Sequence, residues 1–234
     1  TRDLDFTGYG SSAAADVLAA FREICTIPTG DDGLTFDPAT LTAEPIRDDA
    51  EYDGLRVKLQ ARLGTSRIPL QVDIGFGNAI EPPPADVEYP TLLDDPAPRI
   101  RAYPKEAVVA EKCHAMVHLG ETNSRLKDFY DLQVLARSFP FEGKVLAGAI
   151  AATFRRRRTG IPVTQPAALA PRFFFDEGRG RMWRAYLDKN GLPGAPAEFE
   201  AVGETLRGFL QPVLDALAAG RPFETTWPAG GLWR

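Results

Sequence analysis

Two aspartates one residue apart, Asp3 and Asp5 in the segment "TRDLDF", lie almost at the start of the sequence. If this segment is a strand, its side chains alternate between two faces, so the carboxylates share one face and Leu4 and Phe6 share the other. Like charges at that spacing repel unless a cation or water lies between them, and Mg²⁺ prefers such hard oxygen ligands. On this segment alone a solvated strand edge or turn is the favoured interpretation, and only a third carboxylate from elsewhere reverses it.

A third carboxylate, Asp73, lies in the segment "QVDIGFG". Alternation along a strand places Val72 and Ile74 on one face and Asp73 with Gln71 on the other. The alternative is that Asp73 ends its strand and hydrogen-bonds to the turn at residues 75–78. If the strand interpretation holds, we expect the three aspartates to converge on one cavity that binds a metal ion.

Two predicted helices each turn a charged side chain toward an apolar face. At about 100° per residue, Lys112 lies near the middle of the apolar arc of a helix at 105–120. In the next helix Asp128 lies within the apolar arc, and Asp131 is on the same side. A buried lysine needs an anion, so Lys112 either forms a pair with Asp128 that fixes helix register or binds phosphates while Asp128 holds its ammonium. A lysine that extends its ammonium to water is the third interpretation.

The other metal-binding residue types do not predict a zinc site. His114 and His118 lie four residues apart on the opposite, polar face of the same helix, together with Glu111. Without a third convincing ligand, we interpret this face as solvated. The two cysteines, Cys25 and Cys113, are not grouped with other soft ligands and are expected to be core thiols.

Positive charge is concentrated in one part of an acidic chain. Residues 125–184 hold 12 Lys and Arg against 5 Asp and Glu, a local charge of +7, whereas the whole chain carries −5. This distribution suits one localised polyanionic partner. The alternative is a solvated helix end whose arginines interact favourably with the helix dipole. The arginines that we expect to contact such a partner are Arg155, Arg156, Arg157, Arg158, Arg181 and Arg184.

The elements that must position these residues fall into two halves. A helix at 13–24 and an antiparallel hairpin at 56–78 indicate a mixed sheet. A proline-rich segment at 81–104 follows, and the rest is helical in pattern. We therefore predict an α+β protein with a sheet-bearing lobe at 1–100 and a helical lobe at 101–234. The helices after the proline-rich segment are predicted at 105–120, 124–138, 143–155, 178–190 and 198–219.

Composition is that of an ordinary globular protein of 234 residues, with 44% hydrophobic and 25% charged residues. Neither a signal segment nor an apolar run long enough to span a membrane is evident in the sequence. We therefore expect a cytoplasmic protein that does not bind a membrane.

Four segments in this order, "TRDLDF", "VDIGFGN", "AEKCHAM" and "NSRLKDFYDL", resemble the AbiEii/AbiGii toxin family of nucleotidyltransferases, which includes the MenT-type toxins. The resemblance implies a DNA polymerase β-like nucleotidyltransferase fold with a helical C-terminal extension. It also implies transfer of a nucleoside monophosphate from an NTP to RNA, at the 3′ end of tRNA in characterised members.

The resemblance assigns roles to several residues. By this likeness Asp3, Asp5 and Asp73 bind Mg²⁺, and Lys112 and Asp128 match further essential positions. Nucleotide-binding positions expected from the same likeness are Thr1, Lys112 and Asp131. A toxin of this kind acts with a cognate antitoxin as partner, and we expect a monomer.

One departure from the family pattern lies at the start of the chain. The family begins with a Gly-Gly or Gly-Ser loop roughly ten residues before the D-x-D pair, where backbone N–H groups bind the triphosphate. The sequence begins at Thr1 without that loop, so we expect a truncated chain whose nucleotide binding is impaired as written.

Two other function classes stay open. The protein could be a degenerate, non-catalytic module that binds RNA or an antitoxin, or it could transfer nucleotides to a protein. The four charged positions Asp3, Asp5, Asp73 and Lys112 favour an enzyme, and the basic segment favours RNA as the acceptor.

Overall fold

The structure is a computed structural model that describes residues 4–28, 32–46, 54–76, 80–91, 96–192 and 194–234. Its internal contacts divide the chain into two compact units, residues 1–79 and residues 80–234. The first unit contains a mixed sheet, and the second is mainly helical.

The first unit is a four-stranded sheet with the order β1-β4-β3-β2. Strand β1 runs parallel to β4, whereas β3 pairs antiparallel with both β4 and β2. The hairpin predicted at 56–78 is therefore confirmed as β3 and β4. The elements are β1 (Leu4–Gly8), α1 (Ala14–Ile24), β2 (Leu34–Ile46), β3 (Gly54–Leu63) and β4 (Ser66–Phe76).

One face of this sheet is apolar, as the alternation of residue types predicts. Val57 and Leu59 of β3 and Val72 of β4 are buried, and Val17 of α1 packs in the same cluster. Burying a side chain of this size contributes roughly 1.5–3 kcal/mol relative to leaving it exposed. The opposite face carries the charged residues of β3 and β4, including Arg56 and Asp73.

Strand β2 was missed by the sequence analysis, for a local reason. Pro38 and Pro45 interrupt it, and its pairing with β3 shifts register between Asp37 and Thr42. Proline is tolerated in a sheet mainly on edge strands or at bulges, and β2 is the last strand in the sheet order. Such a strand lacks the regular alternation from which β3 was predicted.

The second unit begins with a short antiparallel pair inside the proline-rich segment, β5 (Ala85–Glu88) and β6 (Arg99–Ala102). Two strands of two residues each, β7 (Phe141–Glu142) and β8 (Thr226–Trp227), form a second antiparallel pair in this unit. The five predicted helices are present with small shifts at their ends, and one short helix is added. The helices are α2 (Lys105–Leu119), α3 (Leu126–Ser138), α4 (Gly143–Arg156), α5 (Pro171–Phe174), α6 (Glu177–Asn190) and α7 (Phe199–Ala218).

An aromatic core holds these helices together. Phe129 of α3, Phe174 of α5 and Phe199 of α7 are fully buried and pack edge-on or tilted against one another. Trp183 of α6 stacks on Phe199 and donates its indole N–H to the carbonyl oxygen of Pro196 at 2.8 Å. Phe129 anchors α3 in this core, and Cys113 and Met116 of α2 are buried in the same cluster. These two helices carry the charged residues predicted from the sequence. Among the described residues, no helix is long and apolar enough to cross a bilayer.

Candidate functional site

Asp5 and Asp73 lie side by side on the sheet. They are register partners in the parallel pair of β1 and β4, so their side chains project from the same face. That face is the polar one, because Val72 and Ile74 on either side of Asp73 are buried on the other. Asp3 and Thr1, two of the predicted site residues, lie outside the described residues.

Arg56 donates two hydrogen bonds to the carboxylate of Asp73. Its Nε donates to Oδ1 at 2.8 Å and its Nη2 donates to Oδ2 at 2.7 Å. The two residues are register partners on β3 and β4, and the Asp73 side chain is only 17% exposed. Bidentate pairs of this kind are among the stronger hydrogen-bonded contacts in proteins. The sequence placed Arg56 on the polar face but could not reveal this partner, because strand register decides it.

Charged residues continue across the sheet in one row. Glu44 of β2 is the register partner of Arg56, which makes the row Asp5, Asp73, Arg56 and Glu44 over all four strands. Glu44 Oε1 accepts a hydrogen bond at 2.5 Å from Lys58, which lies two residues beyond Arg56 on β3. Arg56 and Lys58 of β3 thus pair with different carboxylates, Asp73 and Glu44.

The donor chemistry of Asp5 and Asp73 fits Mg²⁺. Both offer carboxylate oxygens on adjacent strands, and this ion usually binds one or two carboxylates together with substrate phosphates. Within the described ranges no group of three or more His, Cys, Asp and Glu side chains forms a metal cluster. The predicted third ligand, Asp3, lies outside those ranges.

In the second unit, Lys112 of α2 bridges two carboxylates of α3. Its Nζ lies 2.7 Å from Asp128 Oδ1 and 2.8 Å from Asp131 Oδ2. The side chains of Lys112 and Asp128 are 16% and 5% exposed, so Asp128 is buried, Lys112 is mostly buried, and the two inward charges are paired. The sequence-based interpretation that left the ammonium in water is therefore wrong.

Two further cations surround this bridge, which we call the Lys112 cluster: Lys112, Arg125, Lys127, Asp128 and Asp131. Lys127 Nζ lies 2.8 Å from Asp131 Oδ2. Arg125 Nε approaches Asp128 Oδ2 to 2.8 Å, an ion-pair contact without hydrogen-bond geometry. Three cations against two carboxylates leave the cluster with one excess positive charge, which favours binding of an anion.

Tyr186 of α6 borders the Lys112 cluster. Its partial burial, followed by the negative charge of Asp131, raises the pKa of the Tyr186 phenol. The phenol therefore stays protonated at neutral pH.

The sequence-based placement of His114 on a solvated face is wrong. Its side chain is buried, its Nε2 lies 2.9 Å from Thr159 Oγ1, and its ring meets Phe154 edge-on. The chain after α4 folds against this side of α2, a long-range contact that helical periodicity does not reveal. Burial, followed by the nearby charge of Arg157, lowers the pKa of His114, so the ring is neutral at pH 7.

Most arginines predicted to contact RNA have carboxylate partners. Arg156 and Arg157, at the end of α4, both pair with Glu111 of α2. Arg181 and Arg184 of α6 form looser pairs with Glu177 and Glu198, at 3.7 and 3.3 Å. Arg155 and Arg158 are exposed. An RNA phosphate would have to replace these carboxylates at four of the six positions. For the two exposed pairs, those of Arg181 and Arg184, this costs about 0–1 kcal/mol each.

A cavity of about 580 Å³ lies beside the first turn of α3, between α5 and α6. Arg179 and Arg181 line it, and the Arg179 guanidinium stacks 4.0 Å from the ring of Phe173. This cavity is not lined by Lys112, Asp128 or Asp131, the residues of the Lys112 cluster that were predicted from the sequence. It adds a basic, aromatic recess to the surface that carries Arg181.

The mixed sheet of the first unit and the helices of the second define an α+β protein. Residues 1–205 match the family model described as nucleotidyl transferase AbiEii toxin, type IV toxin–antitoxin system. The chain belongs to this family of nucleotidyltransferase toxins, and the resemblance and fold class predicted from the sequence are confirmed.

A solved structure also aligns with the chain. The crystal structure of JHP933 from Helicobacter pylori has 15% sequence identity and a TM-score of 0.47, and the alignment covers 94% of this chain and 78% of that one. No curated protein matched the sequence.

Proposed function

We propose that the protein is a metal-dependent nucleotidyltransferase that transfers a nucleoside monophosphate from an NTP to RNA, at the 3′ end of tRNA. The observation that carries this proposal is the register pair of Asp5 and Asp73, which presents two carboxylates from adjacent strands on the polar face of the sheet. Membership of a nucleotidyltransferase toxin family supports the same chemistry.

The proposed metal ligands are Asp5 and Asp73, with Asp3 as the third. Bound Mg²⁺ would supply positive charge for the α-phosphate and the leaving pyrophosphate. The 3′-hydroxyl oxygen of the acceptor forms a bond to the α-phosphorus, and the bond from that phosphorus to the β-phosphate oxygen breaks. A carboxylate accepts the hydroxyl proton, and pyrophosphate leaves.

The Lys112 cluster is the proposed phosphate-binding element. Its one excess positive charge and its buried, doubly held ammonium suit a triphosphate, since charges aimed at phosphates need little reorganisation when they are already fixed. Asp128 and Asp131 hold Lys112 in this position. A nucleotide contact by Asp131 or by Thr1 stays a prediction.

Arg155 and Arg158 are the proposed primary RNA contacts, because they are exposed while Arg156 and Arg157 pair with Glu111. The family supports a cognate antitoxin as partner. NTPs, Mg²⁺ and RNA occur together inside the cell, so we place the action of this protein in the cytoplasm. We also propose that it acts as a monomer.

The carboxylate partners of the arginines favour one second candidate, in which a protein accepts the nucleotide. Ion pairs at Arg156, Arg157, Arg181 and Arg184 reduce the free positive charge that a polyanion would meet.

Labelling distinguishes these functions. The full-length protein is incubated with Mg²⁺, total RNA and cellular protein, and each of the four α-labelled NTPs in turn. Label in RNA is the expected result, label in protein would favour the second candidate, and no transfer under any condition would leave a non-catalytic module. Asp73→Asn should abolish labelling, and Asp188→Asn, an exposed aspartate of α6, is the matched control.

A further inference from the structure

Asp73 lies between two residues of opposite charge. In the sheet order, β4 has β1 on one side and β3 on the other, so Asp5 and Arg56 flank Asp73 in the same row. A metal ion shared by Asp5 and Asp73 would bind toward β1. The Arg56 guanidinium approaches the same carboxylate from β3.

The guanidinium engages both oxygens of Asp73. The two contacts, at 2.8 and 2.7 Å, fix the plane of the carboxylate and neutralise its charge. The pair is partly buried, with side-chain exposures of 35% for Arg56 and 17% for Asp73, so water screens it less than a surface pair.

We propose that Arg56 is the resident counter-cation of Asp73 and that it opposes binding of a free divalent ion at the carboxylates. This inference rests on the proposed function and deepens it. Arg56 acts through Asp73, so it is a positioning residue. It holds the Asp73 carboxylate in place and lowers the affinity of that carboxylate for metal, because its positive charge repels the ion and its guanidinium occupies both carboxylate oxygens.

The proposal has a consequence for the form of the substrate. A divalent ion that binds poorly to the carboxylates alone binds well once a triphosphate adds its own oxygens and negative charge. The metal–nucleotide complex is therefore the species that the site accepts. Metal affinity should be low without nucleotide and should rise when a non-hydrolysable NTP is present.

Mn²⁺ binding measured by electron paramagnetic resonance, without nucleotide, tests this role. We expect Arg56→Met to bind Mn²⁺ at least about tenfold more tightly than the parent protein, because a neighbouring positive charge is removed. Equal or weaker Mn²⁺ binding by Arg56→Met would overturn the proposal, since a residue that merely orients Asp73 for metal would act in that opposite direction.

Lys58→Met is the matched control. Lys58 lies on the same face and the same strand as Arg56, but it pairs with Glu44. Its removal takes away the same charge without freeing Asp73, so its Mn²⁺ affinity should stay within about threefold of the parent because exposed charges are screened. If both variants tightened binding equally, the effect would come from net charge and the Arg56–Asp73 pair would have no special role.

Thermal unfolding provides a second measurement that also detects misfolding of Arg56→Met. Without metal this variant should melt several degrees below the parent, and saturating Mn²⁺ should restore most of that loss. The parent should gain little from Mn²⁺, because Arg56 already neutralises Asp73. Identical Mn²⁺-induced shifts in the two proteins would contradict the proposal.

Failure of this inference differs from failure of the proposed function. If the parent transfers nucleotide but Arg56→Met binds Mn²⁺ no more tightly, only the counter-cation role is wrong. If the parent and both variants bind no Mn²⁺ even with a non-hydrolysable NTP, the metal-dependent function and the counter-cation role are both wrong.

Discussion

The ammonium of Lys112 joins two turns of α3, because Asp128 Oδ1 and Asp131 Oδ2 lie 2.7 and 2.8 Å from its Nζ. An ion pair that served only to pack α2 on α3 would need only one of these two carboxylates. Arg125 and Lys127 add positive charge to the same two carboxylates from their outer side. The arrangement fixes the position of the lysine, and the formal charges of the Lys112 cluster sum to +1.

Lys112→Met should therefore separate catalysis from stability. We expect nucleotide transfer to fall by about 10²–10³-fold, the scale seen when one preorganised donor to a reacting group is removed. The melting temperature should fall by only a few degrees, because Arg125 still lies beside Asp128. Transfer rates and melting curves check both parts, and Lys189→Met, at an exposed position of α6, is the control.

A structural role would produce the reverse pattern. In that case Lys112→Met would strand a buried carboxylate and lower stability by about 3–5 kcal/mol. A combined Lys112→Met, Asp128→Leu protein would then regain that stability, and normal transfer by either variant would remove the lysine from the mechanism.

The arginines at the end of α4 should differ in their effect on RNA binding. We expect the double variant Arg155→Gln, Arg158→Gln to lower the salt dependence of log Kd by about 0.7–0.9 for each lost phosphate contact. The melting temperature should not change, because both side chains are exposed. Filter binding of tRNA over a range of salt concentrations measures the slope.

Arg156→Gln with Arg157→Gln is the comparison for that experiment. These changes leave Glu111 without its two partners, so we expect a lower melting temperature. An equal loss of salt dependence in the two double variants would show that RNA displaces Glu111 from Arg156 and Arg157. Arg155 and Arg158 would then not be the primary RNA contacts.

His114 should make the protein less stable in mild acid. Its pKa is lowered in the folded protein by burial and by Arg157, from an ordinary value of 6.5. The unfolded chain therefore binds a proton at a pH where the folded protein does not, so stability falls as the pH drops below about 6.5. His114→Gln, which keeps a polar group near Thr159, should flatten the pH dependence of the melting temperature between pH 7.5 and 5.5.

His118→Gln is a comparison and not an independent control, because the exposed His118 ring stacks on His114 at 5.8 Å and its charge also lowers the pKa of His114. If His114→Gln and the parent lost stability in parallel below pH 6.5, other groups would account for the acid sensitivity.

The two cysteines should react very differently with a thiol reagent. Cys113 is fully buried, and burial raises the pKa of its thiol to about 12, so almost no thiolate forms at pH 8. Cys25 is only partly buried. We expect Ellman's reagent to modify one thiol per chain in the native protein and two after denaturation. Rapid reaction of both thiols in native buffer would contradict the packing of α2.

The parts of the fold predicted from the sequence are those that local periodicity determines. The alternation in β3 and β4 placed Val57 and Asp73 on opposite faces, as observed. An inward charge on an apolar helix face likewise identified Lys112 and Asp128 as partners. In both cases the neighbours along the chain carry enough information to orient the side chain.

The features that were missed depend on contacts between distant segments. The partner of Arg56 is set by the register of β3 on β4, and the burial of His114 is set by the chain around Thr159. Glu111 also meets its arginines across more than 40 positions of sequence. Neither residue type nor spacing specifies such contacts.

Strand β1 has only five residues and pairs with β4, and among the described strands it has no neighbour on its other side. The backbone of Asp5 is therefore paired with one neighbouring strand, β4. Short edge elements open locally at much lower free energy than the core of a domain, so the amide hydrogens of β1 should exchange with solvent sooner than those of β3. The proposed metal ligand thus depends on a local folding equilibrium, and any partner that covered this edge would keep Asp5 in place for a larger fraction of the time.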